Sequence, residues 1–127
     1  MKTPYSRSYF PPAPILTVQL AVPEEPPRLG PHQALVDTGA DGTFVPTAFL
    51  EELGVPVVYT TNARPHLGTD RHRVWVYEVD VILDSVRLPG IEVVGDDWSN
   101  EVILGRNVLN RLLVMLDGPK EMTDVRA

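Results

Sequence analysis

The chain has 127 residues, 43% hydrophobic and 22% charged, with a formal net charge of −6. That is one domain's length, enough to bury roughly two-thirds of the unfolded surface around a single core, and its acidic balance excludes the basic stripe that nucleic-acid phosphates require. The absence of cysteine excludes disulfides, thiol catalysis and thiolate metal sites. No apolar segment precedes the first prolines and no window is long enough to span a bilayer, so a cytoplasmic protein without membrane contact is expected.

In chain order, eight of the 13 prolines fall within the first 31 residues, and residues 1–14 are expected to form an extended, proline-rich arm. Ile15 to Val22 alternates, with Leu16, Val18, Leu20 and Val22 on one face and Thr17 and Gln19 on the other, which is strand periodicity. Pro23-Glu24-Glu25-Pro26-Pro27 breaks it. Gln33 to Asp37 reads as a second strand and Thr43 to Val45 as a short apolar piece. Pro46 to Leu53 predicts a two-turn helix, since Phe49, Leu50 and Leu53 share a face and Gly54 is placed to close it.

Val55 to Tyr59 resumes strand character, and the polar segment Thr60 to Arg73 reads as a long hairpin. Val74 to Leu83 is the clearest strand. Asp84-Ser85 turns the chain, and Val86 to Val94 returns it. Residues 95–100 read as a loop, Val102 to Leu104 as a buried strand, and the chain from Gly105 to about Leu112 as a helix. Leu113 to Leu116 is a last apolar run, stopped by Asp117-Gly118-Pro119; residues 120–127 are expected as a tail. Short strands with two small helices predict a mostly β, closed or orthogonal barrel over one domain, 1–127.

Two motifs carry chemistry. In ALVDTGADGT, residues 34–43, an apolar strand runs into Asp37, then Thr38 and Gly39. Turn chemistry accounts for such residues, and so does a carboxylate mounted at the mouth of a core. A D-T-G triplet arises by chance in a chain of this length roughly a few per cent of the time. The second motif, Val102-Ile103-Leu104-Gly105-Arg106-Asn107, lies near the other end.

Together VDTGAD and VILGRN resemble the retroviral-type aspartic proteases, the single-domain members of the pepsin-like superfamily, over roughly Ile15 to Pro119. The resemblance implies an acid-protease barrel and a peptide or protein substrate, with neither metal nor organic cofactor. Asp37 would be catalytic, Thr38 and Gly39 would shape its loop, and Ala40 and Asp41 would line the substrate cleft. Arg106 would brace Asp41 through a bidentate carboxylate–guanidinium pair. The hairpin at residues 60–73 occupies the position of the family's flap, with Leu67-Gly68-Thr69 at its tip and contacting substrate.

This chemistry needs two carboxyls, one to take a proton from water and one to give a proton to the scissile carbonyl oxygen. There is no second D-[ST]-G, because Val86 follows Asp84-Ser85 and Gly118 follows Asp117 directly. The expected active form is therefore a C2 homodimer in which each chain supplies Asp37, with the arm and the tail as candidate intersubunit strands. The alternative is a catalytically silent relative that serves as a dimerisation or peptide-binding module. The insert near residues 23–33 and the ending Leu116-Asp117-Gly118-Pro119 depart from the viral pattern and point to a cellular, prokaryotic relative.

Other readings are weaker. His66, Asp70 and His72 match no zinc-ligand spacing. Asp41-Gly42-Thr43 lacks the aspartate two residues earlier that a phosphatase nucleophile loop requires, and no glycine-rich nucleotide loop occurs. His66, Arg71, His72 and Arg73 make the hairpin basic, which suits either an acidic peptide or a solvated loop.

Overall fold

The computed structural model describes residues 1–63 and 72–126. Ten strands and two helices follow one another as β1 (Lys2–Pro4), β2 (Ile15–Ala21), β3 (Leu29–Val36), β4 (Thr43–Pro46), α1 (Thr47–Leu53), β5 (Val57–Ala63), β6 (His72–Leu83), β7 (Val86–Asp96), β8 (Val102–Leu104), α2 (Arg106–Leu109), β9 (Leu113–Asp117) and β10 (Met122–Arg126). The fold is mostly β, as expected. Strands β2, β3, β8, β4, β7 and β6 pair in that order, and β2 returns to β6 to close a six-stranded barrel. β5 attaches outside the ring, against the first half of β6.

Apolar alternation puts Leu16, Val18 and Leu20 of β2, Val79 and Val81 of β6, and Val93 of β7 into a core that is almost free of solvent. Leu50 and Leu53 of α1 plug it from one side, and Gly54 ends that helix in the left-handed region, φ 77°, with its N–H on the carbonyls of Leu50 and Glu51. The helix is therefore closed by the residue the sequence singled out. No described helix is long and apolar enough to cross a membrane.

Several boundaries move, each for a pairing reason. β3 begins at Leu29 rather than Gln33 because Leu29 pairs with Leu20. β7 runs on through Gly95 and Asp96, expected as loop, because β4 lies parallel to it with Val45 opposite Gly95 and Pro46 opposite Asp96. β5 starts at Val57 and takes in Thr60 to Ala63, which pair with Trp75 to His72, so both ends of the expected hairpin loop, residues 60–63 and 72–73, are strand. α2 stops at Leu109, and turns carry the chain to β9. The expected flap tip, Leu67, Gly68 and Thr69, lies outside the described residues.

The expected arm and tail are corrected most. β10 is the middle strand of a three-stranded sheet ordered β1-β10-β9. A turn bonded from the Glu121 N–H to the Gly118 carbonyl folds it onto β9, and its central residues Thr123, Asp124 and Val125 are all buried. The Met1 ammonium donates to the Val125 carbonyl at 2.9 Å and lies 3.6 Å from the Asp124 carboxylate. The two ends of the chain thus satisfy each other.

Asp80 is the buried charge on which the barrel seam depends. It is 2% exposed. Its Oδ2 accepts from the Glu24 N–H at 3.0 Å and from Arg87 Nε at 2.9 Å, and its Oδ1 accepts from the Gly90 N–H at 2.9 Å. Burial pushes its pKa up, but the amides of Glu24 and Gly90 and the Arg87 guanidinium outweigh this and hold it below the ordinary value. A carboxyl lowered in the folded chain stabilises fully above its unfolded pKa, and that contribution is lost as pH falls through the folded value. Asp80→Asn should cost about 3 kcal/mol at neutral pH. In thermal denaturation followed from neutral pH into acid, the variant should lose less stability below pH ~4 than the parent does; matching acid limbs would contradict this role.

Candidate active site

The end of β3 is pinned on both sides before the site begins. The Val36 N–H donates to the Pro14 carbonyl at 3.0 Å, and the Asp37 N–H to the Leu104 carbonyl at 3.0 Å. Val36 is buried and Asp37 half-buried, so the carboxyl stands where the core gives way to solvent. Its Oδ1 accepts the Gly39 N–H at 3.0 Å, and its carbonyl accepts the Ala40 N–H at 3.2 Å. Among the described residues no other side chain hydrogen-bonds this carboxyl. Gly39 does not need its freedom for a positive φ; a Cβ there would stand 3.2 Å from Asp37 Oδ1 and crowd the acid.

β8 lies between the two strands that the Asp37 loop connects: it is parallel to β3, with Val36 opposite Leu104, and it meets β4 at Phe44 opposite Ile103. The loop therefore straddles the end of β8, where Gly105 sits. A Cβ on Gly105 would come 2.0 Å from the Gly42 carbonyl oxygen and 2.9 Å from that of Ala40. Only glycine fits. From there the Arg106 N–H donates to the Ala40 carbonyl at 2.8 Å, and the Asn107 N–H to that of Asp41 at 3.3 Å.

Arg106 braces the loop differently from the expected pair with Asp41. Its Nη1 donates to the Thr38 carbonyl at 2.9 Å, and no ion pair joins it to Asp41 among the described residues. The α2 start places the guanidinium under the backbone at Thr38, where a carbonyl needs a donor. The Asp41 carboxylate stays exposed instead, on the wall of a cleft of about 530 Å³ that also takes in Phe44, Tyr59, Val76, Glu92 and Asn107. Of the residues expected at the site, Asp37, Thr38, Gly39, Ala40, Asp41 and Arg106 fall on this one loop and its support, with Thr38 and Gly39 exposed and Ala40 half-buried.

Further groups support the site. Thr43, 1% exposed, reads as part of an apolar strand, yet its hydroxyl donates to Asn107 Oδ1 at 2.7 Å and accepts the Gly105 N–H at 3.1 Å. Asn107 in turn donates to the Glu92 carbonyl at 2.9 Å. The Tyr59 hydroxyl donates to Glu92 Oε2 at 2.5 Å across the cleft, and this bond to a carboxylate raises the Tyr59 pKa. Asn107 belongs to a motif that can be read; Thr43 and Glu92 gain their roles only from the strand pairing.

Because Gly105 faces backbone rather than a yielding side chain, Gly105→Ala should displace the Asp37 loop and destabilise the fold by about 2 kcal/mol or more. Thermal denaturation and a crystal structure of the variant would check both; an unmoved loop at unchanged Tm would refute the constraint.

Comparison with known proteins agrees with this geometry. Residues 30–111 match the family described as gag-polyprotein putative aspartyl protease. Among solved structures, a retropepsin-like aspartic protease from Rickettsia conorii superposes with a TM-score of 0.65 at 14% identity, covering 100% of this chain and 92% of that one. Simian foamy virus (mac) protease gives 0.54 at 20% identity, covering 76% and 92%. EIAV protease in complex with the inhibitor HBY-793 gives 0.53 at 20% identity, covering 86% and 93%. These structures share the fold, and no curated protein sequence matches the chain. With the family match spanning both motifs and the strands between them, the chain belongs to the gag-type aspartyl protease family and has the retropepsin-like fold.

Proposed function

We propose that the chain is an aspartic endopeptidase that works as a homodimer, with the two Asp37 carboxyls facing each other across a two-fold axis. The observation that carries this reading is the state of Asp37: pinned at the end of β3, open to solvent, held on one oxygen by the Gly39 N–H, and, among the described residues, without a second carboxyl hydrogen-bonded to it. A single carboxylate can accept a proton from water but cannot at the same moment donate one to the substrate. A facing copy supplies the missing partner, because two like charges in contact share one proton rather than both ionising.

In the resulting step, the ionised Asp37 takes a proton from the attacking water while the protonated one gives its proton to the scissile carbonyl oxygen, forming a tetrahedral gem-diol. The protonated Asp37 then gives its proton to the departing nitrogen as the C–N bond breaks, while the ionised one takes a proton from a gem-diol hydroxyl, leaving a carboxylic acid and an amine and restoring the singly protonated dyad. The peptide backbone would lie along the exposed loop at Thr38 and Gly39, and its side chains would enter the cleft beside Ala40 and Asp41. Leu67, Gly68 and Thr69 are assigned to the lid over this cleft by the family's pattern alone.

Purified protein offered a broad library of unstructured peptides should cleave them, with activity unaffected by chelators. Asp37→Asn should lower the rate by about 10³-fold without unfolding the chain, and specific activity should fall on dilution as dimers separate. Equal cleavage by parent and variant, or no cleavage at any pH, would overturn the reading.

A further inference from the structure

The cleft that begins on the Asp37 loop has a lining of mixed character. Phe44 of β4, Val74 and Val76 of β6 and Val94 of β7 give it apolar walls, and two exposed carboxylates, Asp41 and Glu92, share the lining with them. The parallel register of β4 and β7, with Thr43 opposite Val93, sets both acids at the same end of that strand pair. Among the described residues no lysine, arginine or histidine lines this cleft. The nearby cations are engaged elsewhere: Arg106 donates to the Thr38 carbonyl and Arg73 to the Thr60 hydroxyl, while His72 and Arg73 line a separate hollow that they share with Asp96 and Asp97. Neither acid of the cleft is spent. No ion pair among the described residues involves Asp41 or Glu92, and Glu92 accepts the Tyr59 hydroxyl on Oε2 alone.

We infer that this cleft receives a basic side chain of the substrate, arginine or lysine, and that Asp41 and Glu92 set the preference. The selectivity rests on the protease reading of the Asp37 site, and it names one side chain that a favoured peptide carries near its scissile bond.

A long basic side chain matches both halves of the lining. Its methylene stem lies along the apolar walls while its charged end meets a carboxylate. Arginine is the better match, since its planar fork donates to two oxygens at once, and the Tyr59 hydroxyl holds Glu92 by the other oxygen. Competing side chains each fail on one half. An aspartate or glutamate would meet two like charges with no cation in the described lining to offset them. A leucine or phenylalanine would strip water from the carboxylates and return no hydrogen bond. The amide of Asn107, which also lines the cleft, cannot take the place of a cation, because its Nδ2 is given to the Glu92 carbonyl and its Oδ1 to the Thr43 hydroxyl. The net charge of −6 adds attraction for a basic peptide at longer range.

Peptides that the full chain cleaves, varied one position at a time among Arg, Lys, Gln, Leu and Glu, test the assignment. One position near the scissile bond should favour Arg or Lys over Gln by about tenfold in kcat/KM. Asp41→Asn and Glu92→Gln keep the side-chain shapes, and glutamine still accepts the Tyr59 hydroxyl, so each should lower that ratio by about threefold. Glu92→Lys should move the preference toward Glu. A ratio near one at every position, or a preference that these variants leave unchanged, would overturn the assignment while leaving the protease standing. Binding of the same peptides to Asp37→Asn chains, followed by fluorescence anisotropy, separates the two readings where the parent cleaves nothing. Binding of the Arg peptide about tenfold tighter than that of its Gln counterpart, with the difference reduced by adding Glu92→Gln, would support the cleft and fail only the chemistry. Equal binding, or none, would overturn both.

Discussion

The carbonyl of Gly42 rests against Gly105 with no room for a side chain between them, and the placement of Asp37 depends on that contact. Because β8 is threaded between β3 and β4, the loop joining those two strands has to cross its end. Backbone closeness at the crossing makes the loop's position a consequence of barrel closure. The amides of Arg106 and Asn107, the Arg106 guanidinium and the Thr43 hydroxyl then fill the polar valences around the crossing. These bonds go mainly to main-chain atoms, so they fix the loop without consuming the carboxylates on it. Asp37 and Asp41 are left facing outward, one toward the proposed axis and one toward the cleft.

A second polar device secures the β2–β6 closure of the barrel. Asp80 gathers the amides of Glu24 and Gly90 and the Arg87 guanidinium, joining the proline-rich turn after β2 to the β6–β7 pair. The two polar centres differ in kind. The Asp80 cluster is closed, its carboxylate satisfied and ionised, and it serves the fold. Asp37 is held on one oxygen only, and that incompleteness suits a group whose chemistry needs a partner from elsewhere. Barrel closure removes most of the strand edges that invite aggregation, and the edges left open among the described residues are β5 on the barrel and, in the terminal sheet, β1 and β9.

Much of this was legible in the sequence where the signal was local. The alternation of Ile15 to Ala21 and of Val74 to Leu83, and the glycine after Leu53, each fix an element through its own residues. The two motifs located the loop and its support because both are contiguous. What escaped depended on distant segments meeting. Asp80 looks like one more polar residue on an alternating strand until Glu24 and Arg87 arrive. Thr43 looks like strand filler until Gly105 needs an acceptor. Residues 122–126 follow a strong turn signal and read as a tail, because only the pairing with β1 and β9 makes strand of them. Asp41 and Arg106 were matched by residue type, but the guanidinium donates to the Thr38 carbonyl.

The central claim is that one Asp37 is inert and two together are a catalyst, and subunit mixing tests it most directly. Parent protein at fixed concentration, equilibrated with a ninefold excess of inactive Asp37→Asn chains, should retain about one tenth of its activity, because random pairing places most parent chains beside a partner lacking the acid. Activity unchanged by the excess would show that each chain works alone and would contradict the account.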